Sequence, residues 1–552
     1  MHSLCNNAIF TEINYSVILN SFANFYIKKV SDLNKVICIL LIIFSVISLN
    51  AQEKYWIFFR DKKDVSFDPY TYFDARTIEK RVRLNLPLIT ITDLPLNDNY
   101  VNKIKTVTGN ISSQSRWLNA VSVKISDQQL EQIKHFEFVK DIRKEQQYEK
   151  TSMCLKKEDN ISGSKLELLV KQTERMGQKE FEEHCIDGKG VRIAVFDGGF
   201  PGVDTHPCFK QLRTEGRIIN TYDFVKKRDF VYTGISHGTM VLSCIAGIYK
   251  DEKMGLATGA EFLLARTERK GEVFSEEENW LAAVEWADKN GADIINSSLG
   301  YTYKRYFPID MDGKTSLVAK AANIAAAKGI LVVNAMGNDG NKSWEFLGTP
   351  ADADSIISVG GIDPETDYHI SFSSYGPTSD MRRKPNVSAY GEVIAAKESG
   401  YAKVQGTSFS SPLVAGFAAC VMQLHPELNN LEIFKLVEHS GHLYPYYDYA
   451  HGYGIPQAHY FFSDTADAEK NIMFQYSGDT IKVLIPENIS LEGNRDDILL
   501  YFHLEDKNGV LERYSVIEAY QHEVLKFLVN GVLENKTLRV HFRGTTIEHK
   551  FD

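Results

Sequence analysis

Five apolar runs decide the fold: Val191–Asp197 (VRIAVFD), Glu261–Thr267 (EFLLART), Ala292–Gly300 (ADIINSSLG), Gly329–Gly337 (GILVVNAMG) and Ser355–Gly361 (SIISVGG). Each is short, aliphatic and closed by Gly or a polar residue, as a strand buried on both faces reads. Amphipathic stretches lie between them, among them Ser275–Asn290 (SEEENWLAAVEWADKN) and Ser316–Gly329 (SLVAKAANIAAAKG). Strands alternating with helices predict an α/β domain with a parallel sheet covered by helices on both faces. Polar residues at the C-terminal ends of such strands are where open α/β sheets build their sites.

Outward from this region, 180–463, the pattern changes on both sides. Upstream, Lys54–Arg60 reads as a strand, Asp74–Leu84 as a helix, Trp117–Ile125 and Phe138–Ile142 as strands. Ser126 opens a helix with Gln129 at capping-box spacing. Residues 52–148 are therefore expected to form a small α+β domain, and the Lys, Glu, Ser and Asn composition of 149–179 a linker or solvated helix. Downstream, 464–552 contains Ile472–Ser477, Asp479–Ile485, Ile498–Asp506 and Thr537–Gly544, a β-rich module. At the start, Lys28, Lys29 and Lys35 precede the apolar run Val36–Leu49, which falls short of the roughly 20 residues of a spanning helix. A basic flank, a short apolar run and small Ala51 at its exit describe a signal peptide over 1–51 and an exported protein: periplasmic, surface-bound or extracellular. No stable membrane span is expected.

The chain has 552 residues, enough for about three domains. Hydrophobic residues at 43% and charged residues at 24% exclude wholesale disorder. A formal net charge of −10 argues against nucleic acid as a partner. The 7 cysteines include no CxxC pair, so neither a zinc site nor a small disulfide scaffold is indicated.

Three segments carry chemistry. Ile193–Phe200 (IAVFDGGF) ends a buried strand in Asp197; Ser236–Gly247 (SHGTMVLSCIAG) sets His237 before a small-residue helix; Gly406–Cys420 (GTSFSSPLVAGFAAC) sets Ser408 at the start of an Ala- and Gly-rich helix. A serine hydroxyl needs a base to become a nucleophile. A histidine supplies one, and a buried carboxylate fixes its tautomer and stabilises the imidazolium. The helix start offers amides to developing negative charge. A GxSxG elbow, as in an esterase of another fold, is missing around Ser408.

The order Asp, His, Ser resembles the subtilisin family of serine proteases. The resemblance spans about 188–462 and includes His237-Gly238-Thr239, Ser298-Leu299-Gly300, Gly337-Asn338-Asp339, Lys384–Gly391 (KPNVSAYG), GTSFSSP and Gly452–Ala458 (GYGIPQA). It implies a triad of Asp197, His237 and Ser408, with Asn338 as side-chain donor to the oxyanion. It also implies pocket walls from Ser298, Leu299, Gly300, Ala335, Met336 and Gly337, and a floor left open at Gly348. Uncharged walls favour a large apolar side chain before the scissile bond. The domain before it resembles a family propeptide, a folding aid that then blocks the active site. The function implied is a secreted, autoprocessed serine endopeptidase acting on protein or peptide substrates. Its alternative is a catalytically silent subtilase fold used for binding.

The sequence departs from the family at four places. Gly198 follows the Asp where Ser or Thr is usual, Met240 replaces a second histidine, and Phe409 stands where many relatives have Met. In His206-Pro207-Cys208, Cys208 occupies the position of a calcium-ligand Asp. A thiol suits hard Ca²⁺ poorly, and the chemistry requires no cofactor. The tyrosine-rich stretch Tyr444–Tyr453 reads equally as a substrate-lining surface or a packed corner.

Overall fold

A computed structural model describes residues 52–145, 161–269, 275–302, 305–463, 471–492, 495–528 and 533–551. The expected signal peptide lies outside these residues. The described chain forms two compact units, one from the residues up to Phe59 with Asn99–Ser112 and Val121–Glu145, the other from Arg60–Asp98, Ser113–Ala120 and everything after Glu145.

The smaller unit contains strands β1 (Glu53–Phe59), β2 (Ala120–Ile125) and β3 (Val139–Lys144). β1 lies between β2 and β3 and pairs antiparallel with β3. Helices α2 (Asp98–Thr108) and α3 (Asp127–Lys134) belong with them, α1 (Ala75–Arg83) preceding both in the chain. The expected capping box is present: the Gln129 N–H donates to Ser126 Oγ (3.4 Å) and the Ser126 N–H to Gln129 Oε1 (3.0 Å). Ile57, Ile104, Val121, Val123 and Ile133 are fully buried in this unit. Helix α2 had no reading in the sequence, because Val101 and Ile104 give only one apolar turn amid polar residues.

The larger unit is built on β4 (Arg192–Asp197), β5 (Ile218–Asp223), β6 (Glu261–Arg266), β7 (Ile294–Ser297), β8 (Leu331–Ala335), β9 (Ile357–Ile362) and β10 (Val387–Tyr390). They form one parallel sheet in the order β10-β9-β8-β7-β4-β6-β5. All five expected strands are there. The two extra strands occupy the edges, where half-exposed Ile218–Asp223 loses the continuous apolar signature. Helices α4 (His237–Ala246), α5 (Ser275–Lys289), α6 (Leu317–Ala327), α7 (Thr407–Leu424) and α8 (Asn430–His439) connect and cover the sheet. α7 is long and apolar enough to cross a membrane, but most of it is buried in this core. β7 and β6 flank β4 on opposite sides, so the strand order reverses there and a crevice opens at the C-terminal ends.

The segment read as a linker or solvated helix holds a helix over Ser164–Glu174, but its Leu169 joins the peptidase core rather than facing solvent. One apolar stripe on an otherwise polar helix escaped a composition reading. Residues 60–98 and 113–120, read as part of one α+β domain, likewise pack with the peptidase sheet's unit. There Glu285 on α5 accepts the Ser115 hydroxyl (2.5 Å) and the Trp117 N–H (3.1 Å).

The expected β-rich module is present as seven antiparallel strands, β11 (Met473–Ser477), β12 (Thr480–Leu484), β13 (Leu499–Glu505), β14 (Leu511–Glu518), β15 (Glu523–Leu528), β16 (Thr537–Phe542) and β17 (Thr545–Lys550). They make two sheets, β11-β12-β15 and β14-β13-β16-β17, over a shared core that includes Val483, Leu500, Val540 and Phe542. Tyr446 packs against Leu499 and Tyr501, and Tyr447 and Tyr449 against Leu511. The tyrosine-rich stretch is a packed corner holding this module.

Candidate active site

Asp197 ends β4 and is buried, where its Oδ1 accepts the Gly198 N–H (2.6 Å). His237 opens α4, and its Nδ1 reaches Asp197 Oδ2 at 2.8 Å and Oδ1 at 3.0 Å. A Cβ at Gly238 would lie 2.8 Å from the Asp197 Cβ and 2.5 Å from the Gly199 carbonyl oxygen, so only glycine lets the helix approach this closely. Burial opposes a charge on His237, but the Asp197 carboxylate and its hydrogen bond outweigh it and hold the imidazole above its ordinary pKa.

Ser408 lies in the first turn of α7, after Gly406 at φ +147°. Its hydroxyl donates to the Ser298 carbonyl (3.2 Å), and the Ser298 hydroxyl donates back to the Ser408 carbonyl (2.8 Å). Asn296 Nδ2 donates to Ser298 Oγ (3.2 Å), while Asn296 Oδ1 accepts the Ser411 hydroxyl (2.9 Å). This chain of bonds fastens the start of α7 to the end of β7.

Asn338 follows β8. Its Oδ1 accepts the Thr407 N–H (2.8 Å) and hydroxyl (3.0 Å), which commits the oxygen and turns Nδ2 toward the start of α7. A Cβ at Gly406 would lie 3.5 Å from that Nδ2. The amide donor, the free end of the helix and the serine therefore converge. Phe409 places its ring 5.6 Å from the His237 ring.

The expected pocket segments also meet. Ser298–Gly300 leaves β7 and Ala335–Gly337 leaves β8, while the Gly348 N–H donates to the Met336 carbonyl (3.3 Å). A Cβ at Gly348 would come within 2.6 Å of the Thr302 γ-methyl, so Thr302 backs the floor that the sequence left open. Thr302 and its partner Asp339 (3.4 Å) escaped sequence reasoning, as did a buried acidic group nearby. In that group the Tyr301 hydroxyl donates to Glu268 (2.9 Å), and Arg305 pairs with Glu276 (3.3 Å) and Glu277 (3.2 Å). Arg305, together with the Tyr301 hydroxyl on Glu268 and the Tyr306 hydroxyl on Glu277 (2.7 Å), partners these buried glutamates from a loop distant in sequence. Burial pushes Glu268 well up, and Glu276 adds to it.

Cys208 is fully buried, and burial raises its thiol well above the ordinary range, so it stays a protonated sulfur. No group of three or more His, Cys, Asp or Glu suited to a metal occurs among the described residues.

The sequence pattern of the subtilase family matches residues 188–454. Subtilisin DY of Bacillus licheniformis is 30% identical over 248 residues, covering 45% of this chain and 81% of that protein. This chain belongs to the subtilase family. It is accordingly a serine-type endopeptidase with an N-terminal propeptide, for residues 54–160 match the peptidase S8 propeptide domain of Bacteroidota. Subtilisin-like protease SBT6.1 of Arabidopsis thaliana is 32% identical over 256 residues, covering 45% of this chain but 22% of that protein. The crystal structure of a cold adapted subtilisin-like serine proteinase aligns at 25% identity with TM-score 0.37, covering 46% of this chain and 84% of that one.

Proposed function

We propose that this subtilase cuts peptide bonds with Asp197, His237 and Ser408 and frees itself from its own propeptide after export. The observation that carries the reading is the 2.8 Å contact between His237 Nδ1 and buried Asp197. With Nδ1 committed to the carboxylate, Nε2 is the nitrogen left to take a proton. For attack, the Ser408 hydroxyl, which here donates to the Ser298 carbonyl (3.2 Å), has to turn to Nε2. Ser408 Oγ attacks the scissile carbonyl as Nε2 takes the hydroxyl proton, and the oxyanion meets Asn338 Nδ2 and the Ser408 N–H. The imidazolium, stabilised by Asp197, protonates the leaving amine. Water then enters by the same base and releases the acid.

The substrate's side chain before the scissile bond lies between Ser298–Gly300 and Ala335–Gly337, with Gly348 and Thr302 at the end. These walls are uncharged and favour a large apolar residue. The severed bond of the precursor lies between about Tyr148 and Ile161. A cut ahead of the helix Ser164–Glu174 is supported by Gln172, which is built into the core: its Nε2 donates to the Met254 carbonyl (2.7 Å) and its Oε1 accepts the Ile394 N–H (3.0 Å). A fluorophosphonate probe tests the assignment. It should label wild-type protein at Ser408 and leave Ser408→Ala untouched. Unlabelled wild-type protein, competent in its fold but inert toward peptides, would mean a silent binding scaffold.

A further inference from the structure

Five histidines gather where the C-terminal module sits on the peptidase domain: His369, His442 and His451 from one side, His503 and His541 from the other. Ring nitrogens of His451, His442 and His541 are already engaged in hydrogen bonds. His451 Nδ1 bonds Asp448 (3.0 Å to each oxygen), and its Nε2 accepts the His369 N–H (3.1 Å). His442 Nδ1 accepts the Ile455 N–H (2.9 Å). His541 donates to the His442 carbonyl, and its Nδ1 meets the Thr546 hydroxyl at 2.8 Å. His503 Nε2 bonds Glu505 (2.9 Å), and its buried Nδ1 has no hydrogen-bond partner among the described residues.

The rings also form the contact itself. Tyr446 lies 4.8 Å from His503 and 6.0 Å from His541, and Tyr501 lies 5.5 Å from His451. The charges facing the seam are Asp448 and Arg175 from the peptidase side and Glu505 and Arg539 from the module; Arg383 acts on Glu505 from farther off. Each acid already has a partner, Asp448 in His451 and Glu505 in His503 and Arg539. None is left to neutralise a new cation on His442 or His541, and Arg175 repels one on His442.

We propose that this seam is an acid-sensitive joint, closed at neutral pH and opened by protonation of His442 and His541, so that the C-terminal module lifts off the peptidase domain. A proton on His442 Nδ1 must displace the accepted Ile455 N–H, and a proton on either ring places a charge in a buried aromatic contact. Burial lowers His541 to about 4 and His442 well below its ordinary value. The seated state thus binds fewer protons than the released state. Seating is complete above about 6.5, the value of a free imidazole, and is lost as pH falls toward about 4. Each of the two histidines weakens seating by up to about tenfold per pH unit within that window.

The seam also touches the pocket. His369 stacks on Tyr375 at 4.3 Å, and the Tyr375 carbonyl accepts the Leu347 N–H (3.0 Å) beside Gly348.

Hydroxyl-radical footprinting of the full-length Ser408→Ala protein, stepped from pH 7.5 to 4.5, reads the joint directly. Tyr446 and Tyr501 should gain at least tenfold in labelling while Trp280, in the peptidase core, stays protected. His541→Gln supplies the same donor and acceptor without titrating, and should shift the onset to lower pH and flatten it. Tyrosines that stay protected to pH 4.5, or that open only together with Trp280, would overturn the proposal, as would a His541→Gln profile superimposed on the wild type. If that variant fails to fold, the wild-type profile alone decides.

Discussion

Arg81→Met should loosen the propeptide's hold on the enzyme by about 10²–10⁴-fold. Arg81 on α1 bonds Asp93 (2.9 Å) from its own region and Asp288 (3.0 Å) on α5, and Lys328 joins Asp93 from the far end of α6. All four side chains are 4% exposed or less, and two cations balance two carboxylates. Unit charges about 3 Å apart attract by roughly 5 kcal/mol at an effective dielectric near 20. Burial offsets much of that while the group is whole. Removing one partner leaves a buried charge without compensation, and such losses cost about 3–5 kcal/mol, a factor of about 10²–10⁴.

The assay is the interval between cleavage of the precursor and the appearance of peptidase activity, which reports release of the severed propeptide. Lys63→Met, whose side chain is 76% exposed, is the control and should leave the interval unchanged. A change below threefold for Arg81→Met, with cleavage at the normal rate, would mean that this ion group does not hold the propeptide on the enzyme. The pH dependence supplies a second check. Burial works against the Asp93 charge, yet Arg81 and Lys328 prevail and hold it down to about 2. A carboxyl lowered on binding contributes its hold above its free value near 3.9 and loses it as pH falls toward 2. Release should therefore be flat from pH 8 to 5, where the histidine joint already responds.

Three further outcomes follow from the site. Asn338→Ala should lower kcat by about 10²–10³, the cost known for the corresponding donor in a subtilisin, with KM nearly unchanged; a fall below threefold would remove Asn338 from the oxyanion site. Asp197→Asn should cut kcat by about 10⁴ and move the rising limb of the pH profile down, because the carboxylate is what raises His237; an unmoved limb would show that Asp197 does not act on the base. Ser408→Ala should accumulate as a precursor without only its signal peptide, seen by N-terminal sequencing; trimming at the wild-type rate in a protease-deficient host would mean that another enzyme matures the chain.

The peptidase fold was legible because its evidence is local. A strand buried on both faces must be apolar along its length, so VRIAVFD or GILVVNAMG states its place without reference to any other segment. Asp197, His237 and Ser408 were proposed from local signals and their chain order, and Asn338 from the family resemblance alone. Each sits at a strand end or helix start, and the glycines around it exist to permit close approach. The edge strand Ile218–Asp223 and helix α2 were missed because partial burial dilutes the period on which such a reading depends.

What escaped altogether depends on long-range pairing. Nothing in RTIEKRVRL says that Arg81 is the one basic residue of its helix to bond Asp288, more than 200 positions away. Nothing in SEEENW says that Glu276 and Glu277 are buried, since three adjacent acids read as a solvated helix start until Arg305 is placed against them. Charged residues tolerate burial only in partnership, and the partner is fixed by topology rather than by neighbours in sequence. The same physics explains why these groups matter. A lone apolar contact loosens gradually when trimmed, whereas an ion group with one member removed turns the remaining charge against the interface. The propeptide clamp and the histidine seam are thus two places where a single substitution or proton acts on the assembled chain through a buried charge.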